Sequence, residues 1–423
     1  ILDGAVNRYL TPTEVLDIAN IIGRIVVSGN VRRSAQIALG QATDADYLAA
    51  KKWSEGDIPV WRAQSNNTVY IDPDNFDVLE HGFWDNYAVD ENGHGVSEPY
   101  GMFNLDTSQR FGRTGEERPD WTISGTNPCA EIGLAHRESC NLSEIFLPNV
   151  ESKEQLIDLA KILYKVQKAV AAMPYLDRAS NEITSRNMRL GLGLTGIAQA
   201  GNKLDWVSDA YEALREFDAE WSAEKGYPQS VRLTTVKPSG TLSLLAGVTP
   251  GVHPGFSRYH IRRVRMAATD PLVGFVEARG YHTEPQRNLD GSEDPSTVVV
   301  EFPCEFPDET LVAKDVDVFT QLDLVRRLQR EWADNAVSVT CYYKPEELEG
   351  IKEYLKEHWH EMKSVSFLLL DDHGFDQAPL ESIDYDTYIE TKSRINHDIQ
   401  LDLFGMSVLM DGEECVAGAC PIR

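Results

Sequence analysis

The sequence predicts an α/β protein whose strands run parallel and are covered on both faces. Three apolar segments of the last third of the chain have the character of buried strands: STVVVEF (296–302), VSVTCYY (337–343) and SVSFLLL (364–370). Helical patterns lie between them, around residues 316–335 and 345–361, and Pro345 suits the first position of the second helix. Continuous apolar strands that alternate with helices are typical of parallel sheets. Both an α/β barrel and a large layered α/β structure fit this pattern.

A helix is also predicted near the start of the chain. Thr11 is a suitable N-cap, Pro12 suits the first helical position, and Glu14 completes a capping box. The predicted apolar face is spaced by three or four residues and consists of Val15, Ile18, Ile22 and Ile25. The turn-forming residues at 28–30 are expected to end this helix.

A longer helix is predicted after Ser152, which forms a second capping box with Gln155. Its predicted apolar stripe consists of Leu156, Leu159, Leu163, Val166 and Val170. Pro174 lies just beyond its expected end. Residues 40–125 are predicted to be irregular, and VRLTTV (231–236) is predicted to be a strand.

Composition narrows the class of protein. The 423-residue chain has a formal net charge of −27, which disfavours binding to nucleic acid or to an anionic membrane surface. No apolar run approaches the roughly 20 residues that span a bilayer, and no signal peptide opens the chain, so a cytoplasmic location is expected. The six cysteines are too sparse for a disulfide framework and show no C-x2-C zinc spacing. The chain opens at Ile1 with what reads as mid-protein sequence, so we expect a piece of a longer protein.

The segment TNPCAEIGLAHRESCNL (126–142) concentrates groups that can do chemistry. Asn127, Cys129 and Glu131 alternate, so on an extended loop they face one side together and present an amide, a thiol and a base. Cys140 lies eleven residues after Cys129 and is able to return alongside it. A loop with two buried cysteines and a solvated glutamate is an equally good interpretation of these residues alone.

A second segment, TTVKPSGTLSLLAGVTPGVHPG (234–255), indicates a phosphate site. A predicted strand runs into the turn Pro238, Ser239, Gly240 and Thr241, after which a helix is expected. Small hydroxylated residues and glycine at such a strand-to-helix junction leave backbone N–H groups free to hold phosphate. Lys237 adds positive charge. The alternative is an N-capping turn that binds no ligand.

A pair of cysteines lies near the C-terminus. Cys415 and Cys420 form a thiol pair on a C-terminal arm that we expect to be mobile, which favours disulfide exchange over idle thiols.

A glycine-rich run in the middle of the chain resembles a nucleotide-binding motif. The run GLGLTG (191–196) matches a dinucleotide-binding fingerprint, but a polar segment at 178–189 precedes it where a strand is required. Close backbone packing is the preferred explanation of these glycines.

Taken in order, the motifs resemble one enzyme family over nearly the whole chain, from about Ala5 to Arg423. They are SGNVRRSAQIALG (28–40), SNN (65–67), NPCAEI followed by CNL, KPSGTLSLLAGVTPGVHPGFSRYHIRRVR (237–265) and the terminal C-x4-C. This combination is similar to the adenosylcobalamin-dependent (class II) ribonucleotide reductases, in particular the monomeric ribonucleoside-triphosphate reductase branch.

The resemblance implies a ten-stranded α/β barrel over residues 1–394, whose N-terminal part we expect to be missing, and a flexible redox tail over 395–423. A finger loop through the barrel would carry the radical cysteine, Cys129. The implied reaction is reduction of ribonucleoside triphosphates to 2'-deoxyribonucleoside triphosphates for DNA precursor synthesis.

The resemblance also implies a role for each site residue. Adenosylcobalamin would generate a thiyl radical at Cys129, with Glu131 as general base and Asn127 fixing the ribose hydroxyls. Cys140 would belong to a reducing pair that Cys415 and Cys420 regenerate with thioredoxin or a similar dithiol. Substrate phosphate would bind at Pro238, Ser239, Gly240 and Thr241.

One departure from the family pattern concerns the reducing pair, because no cysteine precedes Cys129 in this sequence. Cys304 and Cys341 match no family motif and are predicted to be inert. We therefore expect the chain to need an N-terminal segment of the same enzyme as partner, and to be inactive alone. The alternatives are the large subunit of a class I reductase, a non-catalytic fragment, and a thiol–disulfide binding module.

Two features remain open. His253 is interpreted either as a ligand contact or as a structural loop residue. The basic cluster of Arg258, Arg262, Arg263 and Arg265 suits either a polyphosphate or ion pairs with neighbouring carboxylates.

Overall fold

A computed structural model describes residues 1–27, 34–91, 93–287, 292–370 and 377–399. The chain divides into two compact units. The first comprises Ile1–Gly23, Ala35–Gly255 and Asp315–Leu370, and the second comprises Arg24–Ser34, Phe256–Lys314 and Asp371–Arg423. The predicted division into a barrel (1–394) and a tail (395–423) stays a prediction.

Helices and strands are mixed along the described chain. The helices are α1 (Pro12–Val27), α2 (Ala45–Leu48), α3 (Leu105–Arg110), α4 (Lys153–Ala171), α5 (Arg178–Asn187), α6 (Val207–Lys225), α7 (Pro271–Ala278), α8 (Val318–Glu331), α9 (Leu348–His358) and α10 (Tyr385–Ser393). The strands are β1 (Gln36–Gln41), β2 (Ser65–Tyr70), β3 (Gly101–Phe103), β4 (Gly125–Thr126), β5 (Gly133–Leu134), β6 (Leu142–Phe146), β7 (Gly191–Thr195), β8 (Thr234–Thr235), β9 (Tyr259–Ala267), β10 (Thr283–Arg287), β11 (Glu293–Glu305), β12 (Thr340–Tyr343), β13 (Ser364–Leu369) and β14 (Leu380–Ser382). None of the described helices has the length and apolar character needed to span a bilayer.

The first unit is built on two sheets that continue into each other. One has the strand order β1-β2-β3-β13-β12, and the other has the order β6-β7-β8. A parallel bridge between Val236 and Val337 joins the end of β8 to the segment before β12. Neighbouring strands run parallel except where β13 meets β3, which are antiparallel. The α/β class and the predominance of parallel strands in this unit are as predicted.

The second unit is an antiparallel sheet of order β10-β11-β9-β14 with helices α7 and α10. The apolar segment 296–302 lies within β11, so its predicted parallel arrangement was wrong. Only residues 288–292 separate β10 from β11. A connection of five residues is too short for the crossover that two parallel strands require, and the two strands pair as a hairpin instead.

The capping box of α1 is confirmed, because the Glu14 carboxylate accepts a hydrogen bond from the Thr11 N–H at 2.9 Å. The predicted apolar face was wrong: Val15, Ile22 and Ile25 are exposed, and the buried positions are Leu16, Asp17, Asn20 and Gly23. Polar partners far away in sequence determine this orientation. Asp17 accepts hydrogen bonds from the Arg62 guanidinium at 2.7 and 2.9 Å, and Asn20 donates to the Ser65 hydroxyl at 3.1 Å.

Helix α4 begins as predicted, with the Ser152 hydroxyl accepting from the Gln155 N–H at 3.2 Å. Leu156 is fully buried, but Val166 and Val170, at the other end of the predicted stripe, are exposed. In that half of the helix the inward position is taken by Lys168, whose ammonium lies 3.0 Å from the buried carboxylate of Asp218 on α6. Because the Lys168–Asp218 ion pair takes the buried position, Val166 and Val170 of the predicted stripe face the solvent.

Residues 40–125 are more regular than predicted, because they include β2, β3 and α3. Strand β2 escapes an apolar pattern search because polar side chains occupy most of its buried positions, and β3 escapes it because it has only three residues. Asn67 on β2, for example, is buried and donates a hydrogen bond to the Tyr100 hydroxyl at 3.1 Å. The strands predicted at 231–236 and 337–343 are shorter, as β8 and β12, and the helices predicted at 316–335 and 345–361 correspond to α8 and α9.

The glycines of GLGLTG lie in and just after the buried strand β7. A side chain at Gly191 would place its Cβ 2.6 Å from Leu142 Cδ2, and one at Gly193 would lie 3.1 Å from the Ser143 carbonyl oxygen. Gly196 has a φ of +79°, and its Cβ would lie 2.5 Å from Pro148 Cδ. The geometry supports the packing explanation of this run.

We expect Gly196→Ala to lower the free energy of unfolding by roughly 1–3 kcal/mol, because the added methyl group meets both a steric clash and a left-handed backbone. Urea titration followed by circular dichroism measures this change. Gly4→Ala is the matched control, because the backbone there is ordinary and no atom lies within 4 Å of the added Cβ. Equal stabilities of the two variants would contradict the packing explanation.

Candidate active site

Cys129 lies at the tip of a short hairpin. Strands β4 and β5 pair at its base, and the Asn127 N–H donates to the Ile132 carbonyl at 3.1 Å. The Asn127 side-chain oxygen accepts the Ile132 N–H at 3.0 Å, and the Ala130 N–H donates back to the Asn127 carbonyl at 2.9 Å. Ala130 has a φ of +61°. The segment is therefore a tight turn rather than the extended loop that the alternation argument assumed.

Side chains and backbone groups from several strands hold this finger loop. Asn66 on β2 donates to the Pro128 carbonyl at 2.9 Å, and Ser364 on β13 donates to the Ala130 carbonyl at 3.3 Å. The Glu131 carbonyl accepts the Ala336 N–H at 2.9 Å and the Thr235 hydroxyl at 3.0 Å. The radical cysteine predicted from sequence thus lies between two anchored carbonyls.

The roles of Asn66, Ser364 and Thr235 were missed by the sequence analysis. SNN (65–67) contributed to the family resemblance, but nothing in its pattern indicated a contact with residue 128. No sequence signal could have identified these contacts, because the paired residues lie 62 to 234 positions apart along the chain.

Cys129 and Cys140 are free thiols that reach the surface of the site. Partial burial, with the nearby Glu131 carboxylate second, raises the pKa of the Cys129 thiol to about 11. The same two causes raise the pKa of Cys140. Each thiol therefore keeps its proton at neutral pH. Cys140 also contributes to the pKa of Cys129, which brings the two predicted site cysteines together in one electrostatic neighbourhood.

Glu131 is the second reactive group of the loop. Its side chain is buried, and its Oε2 has no hydrogen-bond partner among the described residues. Burial raises the pKa of this carboxyl, while a hydrogen bond from Asn127 and the charge of Lys237 oppose the increase. The increase makes this carboxyl a stronger proton acceptor than an exposed glutamate.

The predicted phosphate turn follows β8. The Ser239 hydroxyl donates to Glu144 Oε2 at 2.5 Å, and the Lys237 ammonium lies 3.6 Å from the same oxygen. Ser239 has a φ of +54°. The element after the turn is a single 3-10 turn, Leu242–Ala246, and not the helix that the anion-binding argument assumed. The turn belongs to the same site nonetheless, because Lys237 acts on the pKa values of Cys129 and Glu131.

A cavity of about 250 Å³ lies beside Cys129. Finger-loop residues line it together with Pro238 of the phosphate turn. Its polar lining includes Asn66, Asn67, Thr68, Ser338, Thr340 and Ser366. The cavity therefore combines hydrogen-bonding groups with access to the thiol, as a small polar organic ligand requires.

His253 lines this cavity but has both ring nitrogens engaged. Nδ1 lies 3.0 Å from the Pro250 carbonyl, to which it donates, and Nε2 accepts the Thr340 N–H at 3.0 Å. This pattern requires the neutral ring, and burial lowers the pKa of His253 accordingly. The geometry supports the structural interpretation of this residue.

Cys304 and Cys341 are the two cysteines that were predicted to be inert. Cys341 on β12 is completely buried, which raises its pKa far above the ordinary value, and Cys304 belongs to β11 of the second unit. Both environments agree with the prediction of inert thiols. Cys415 and Cys420 lie outside the described residues.

The basic cluster of the second unit pairs with neighbouring carboxylates. Arg258 lies 2.7 Å from Asp308, and Arg263 lies 2.7 Å from Glu301 and also contacts Glu381. For these two arginines the geometry favours ion pairing over a polyphosphate site.

Comparison with known proteins places this geometry in context. Residues 95–224 match the family model of the ribonucleotide reductase barrel domain. The chain is 34% identical to the adenosylcobalamin-dependent ribonucleoside-triphosphate reductase of Levilactobacillus brevis, over 100% of this chain and 61% of that protein. It is 35% identical to the enzyme of the same name from Euglena gracilis, over 95% of this chain and 55% of that protein.

A crystal structure of a B12-dependent (class II) ribonucleotide reductase is also similar, with a TM-score of 0.77 and 29% sequence identity. The match covers 98% of this chain and 60% of that chain. The class Id ribonucleotide reductase alpha subunit of Actinobacillus ureae shares the fold, with a TM-score of 0.52 and 15% identity. The family resemblance and the barrel-type fold predicted from the motifs are confirmed, and the chain spans about 60% of the length of these class II relatives.

The raised pKa of Glu131 makes the stability of the protein depend on pH. In the folded protein the Glu131 carboxyl holds its proton more tightly than in the unfolded chain. The protonated carboxyl therefore favours the folded state at low pH, and this contribution to stability is lost as pH rises through the pKa of the folded protein. Glu131→Gln, which is neutral at every pH, is therefore expected to be more stable than the parent protein at pH 8, by about 0.5–2 kcal/mol. The difference should vanish towards pH 4. Denaturant unfolding at both pH values measures it.

Glu353→Gln, at an exposed position of α9, is the matched control and should show no such pH-dependent gain. An equal gain for both variants, or a loss of stability for Glu131→Gln at pH 8, would show that the buried carboxylate is not the cause.

Proposed function

From the homology of this chain with the class II ribonucleotide reductases, we infer that it carries the catalytic centre of an enzyme that replaces the 2'-hydroxyl of a ribonucleoside triphosphate with hydrogen. The observation that carries the proposal is the pairing of Cys129, a thiol held in its protonated form, with Glu131, a buried carboxyl of raised pKa. Together they supply a hydrogen atom and a proton acceptor on one finger loop.

The protonation state of Cys129 distinguishes this chemistry from nucleophilic catalysis. A nucleophilic cysteine requires a lowered pKa, because the thiolate is the reactive species. Here burial and Glu131 raise the pKa of Cys129 to about 11, so the S–H bond is preserved. An intact S–H bond is what a hydrogen-atom transfer consumes and restores.

Adenosylcobalamin is the proposed cofactor, and when bound it supplies the radical that removes the hydrogen atom of the Cys129 thiol. The cavity of about 250 Å³ beside this thiol fits a nucleoside-sized group, and Asn66, Thr340 and Ser366 contribute polar atoms to its lining. A complete corrinoid is larger than the cavity and would extend outside it. The substrate also contains a nucleoside, so the same lining suits it.

The proposed steps on this chain balance as follows. The Cys129 thiyl takes the hydrogen atom from C3' of the ribose, and Glu131 takes the 3'-hydroxyl proton. The 2'-hydroxyl leaves as water after it gains a proton. Two thiols give up two electrons and two protons and become a disulfide, and Cys129 returns its hydrogen atom to C3'. The net change converts one ribonucleotide and two thiols into a deoxyribonucleotide, water and a disulfide.

Cys140 is the proposed member of the reducing pair, since it shares the electrostatic environment of Cys129 and Glu131. No cysteine precedes Cys129 in the sequence, so its partner would come from an N-terminal segment of the enzyme. Cys415 and Cys420 would reduce the disulfide by exchange, and thioredoxin or a similar dithiol would reduce them in turn. Thiols with this role need a reducing compartment, which favours a cytoplasmic location.

The proposed site for the triphosphate is the turn from Pro238 to Thr241. Lys237 supplies positive charge, and backbone N–H groups of the turn would complete the binding of an anion. A local cation is needed here because the chain carries a formal net charge of −27. The class I alternative has less support, because its structural likeness is limited to the fold.

Formation of dCTP from CTP tests this proposal. The 423-residue chain is incubated with adenosylcobalamin and a dithiol, alone and together with the N-terminal segment of a class II relative. We expect dCTP only when the segment and cobalamin are both present. Cys129→Ser should abolish it, because a serine O–H is too strong to give up its hydrogen atom.

Cys304→Ser is the matched control for this assay, since Cys304 matches no motif of the proposed site, and it should retain the parent rate. Absence of dCTP from a folded, reconstituted complex, or activity that depends on a metal-containing subunit in place of cobalamin, would refute the class II proposal.

A further inference from the structure

Glu144 is a buried carboxylate for which the family resemblance gives no role. It lies on β6, and its side chain has no exposed surface. Its Oε2 accepts the Ser239 hydroxyl at 2.5 Å and lies 3.6 Å from the Lys237 ammonium. Its Oε1 is buried without a hydrogen-bond partner among the described residues.

Glu144 and Lys237 both pack beside a glycine of the neighbouring strand. Glu144 is in register with Gly193 on β7. A Cβ at Gly193 would lie 3.4 Å from Glu144 Cγ and 3.6 Å from Lys237 Cγ, which are ordinary contact distances. One of the glycines that resembled a dinucleotide fingerprint thus lies against an ion pair of the site.

A purely structural role is a poor explanation for such a group. A buried ion pair costs desolvation energy and is often no more stabilising than apolar side chains of similar volume. An oxygen left without a partner adds to that cost. Buried carboxylates with these features concentrate at functional sites.

Lys237 connects Glu144 to the reactive groups. Its positive charge lowers the pKa values of Cys129, Cys140 and Glu131 against the stronger effect of burial. The same charge faces Glu144, whose own pKa is raised by burial and lowered by Ser239 and Lys237. One ammonium group is therefore shared between the thiols and two carboxyls.

We propose that Glu144 is a positioning residue of the reaction centre, which holds Ser239 and Lys237 in the phosphate turn and sets how much of the Lys237 charge reaches the two thiols. This assignment adds a role for Glu144 within the proposed function. It rests on the proposed function only in taking the ligand of the turn to be the substrate phosphate. The charge relation between Glu144, Lys237 and the thiols is a property of this chain and can be measured without substrate.

The proposal predicts opposite effects at two neighbouring positions. Glu144→Gln removes the negative charge that offsets Lys237, so the thiolates become easier to form and the thiol pKa falls. Lys237→Met removes the positive charge, and the thiol pKa rises. General loosening of the site would instead change both variants in the same direction.

Alkylation by iodoacetamide measures this effect, because only the thiolate reacts. The rate is followed from pH 7 to 10 on the full chain, and peptide mass spectrometry reads Cys129 and Cys140 separately. Below the thiol pKa, a fall of half a unit to one unit makes alkylation about three to ten times faster. We expect a change of that size for Glu144→Gln and a comparable slowing for Lys237→Met. Glu353→Gln, on the exposed face of α9, is the matched control and should keep the parent profile.

Parent-like profiles in both Glu144→Gln and Lys237→Met would overturn the proposal, and so would changes in the same direction. If Glu144→Gln fails to fold, Lys237→Met decides alone: slower alkylation supports the charge relation and an unchanged rate refutes it. Glu144→Asp keeps the charge and should stay closer to the parent than the glutamine variant.

This outcome is separable from that of the reductase proposal. Opposite changes in the two thiol profiles without dCTP formation would retain the assignment of Glu144 and refute the reductase function. Formation of dCTP with parent-like profiles in the variants would retain the reductase function and refute the role of Glu144.

Discussion

The proposed reaction centre depends on the interactions of one buried carboxylate, that of Asp334. It accepts the backbone N–H groups of Leu233 and Thr234 at 2.9 and 2.8 Å and lies 2.5 Å from the Arg215 guanidinium. These bonds fasten the segment after α8 to β8. Two residues later, the Ala336 N–H holds the Glu131 carbonyl of the finger loop. Loss of this carboxylate would leave the Arg215 charge without its nearest counter-ion and two buried backbone amides unsatisfied, and the loop would lose its support.

The charged groups around Asp334 hold several backbone segments of the first unit together beneath the finger loop. Lys363 is fully buried and donates to the carbonyls of Phe111, Gly112 and Asp334 at 2.6–2.9 Å. Burial, and then the nearby Arg232, lower the pKa of Lys363 well below its ordinary value. Each of these groups is bonded to backbone from a different part of the first unit. Bonds of this kind allow a short loop to hold a thiol in a defined position, since a catalytic group displaced by a fraction of an ångström loses much of its effect.

The sequence was informative where the chemistry is local and uninformative where it is assembled from distant residues. Asn127, Cys129 and Glu131 are close in sequence, so one motif identified them together. Asn66 and Glu144 act through partners 62 and 95 positions away, and no spacing rule relates them. The helix α1 was predicted with the wrong buried face for the same reason, because its orientation is set by polar contacts with residues 61–65 rather than by its own apolar pattern.

The site concentrates features that are unfavourable for stability. Glu131 and Glu144 each have a buried oxygen without a partner among the described residues, and Ala130 and Ser239 both have positive φ values although neither is glycine. Natural sequences tolerate such conflicts mainly where function requires them. Ala130 and Glu131 belong to the finger loop, Ser239 belongs to the phosphate turn, and Glu144 on β6 contacts that turn. These unfavourable features therefore point to the finger loop and the phosphate turn, as the motifs do, and this argument does not depend on homology.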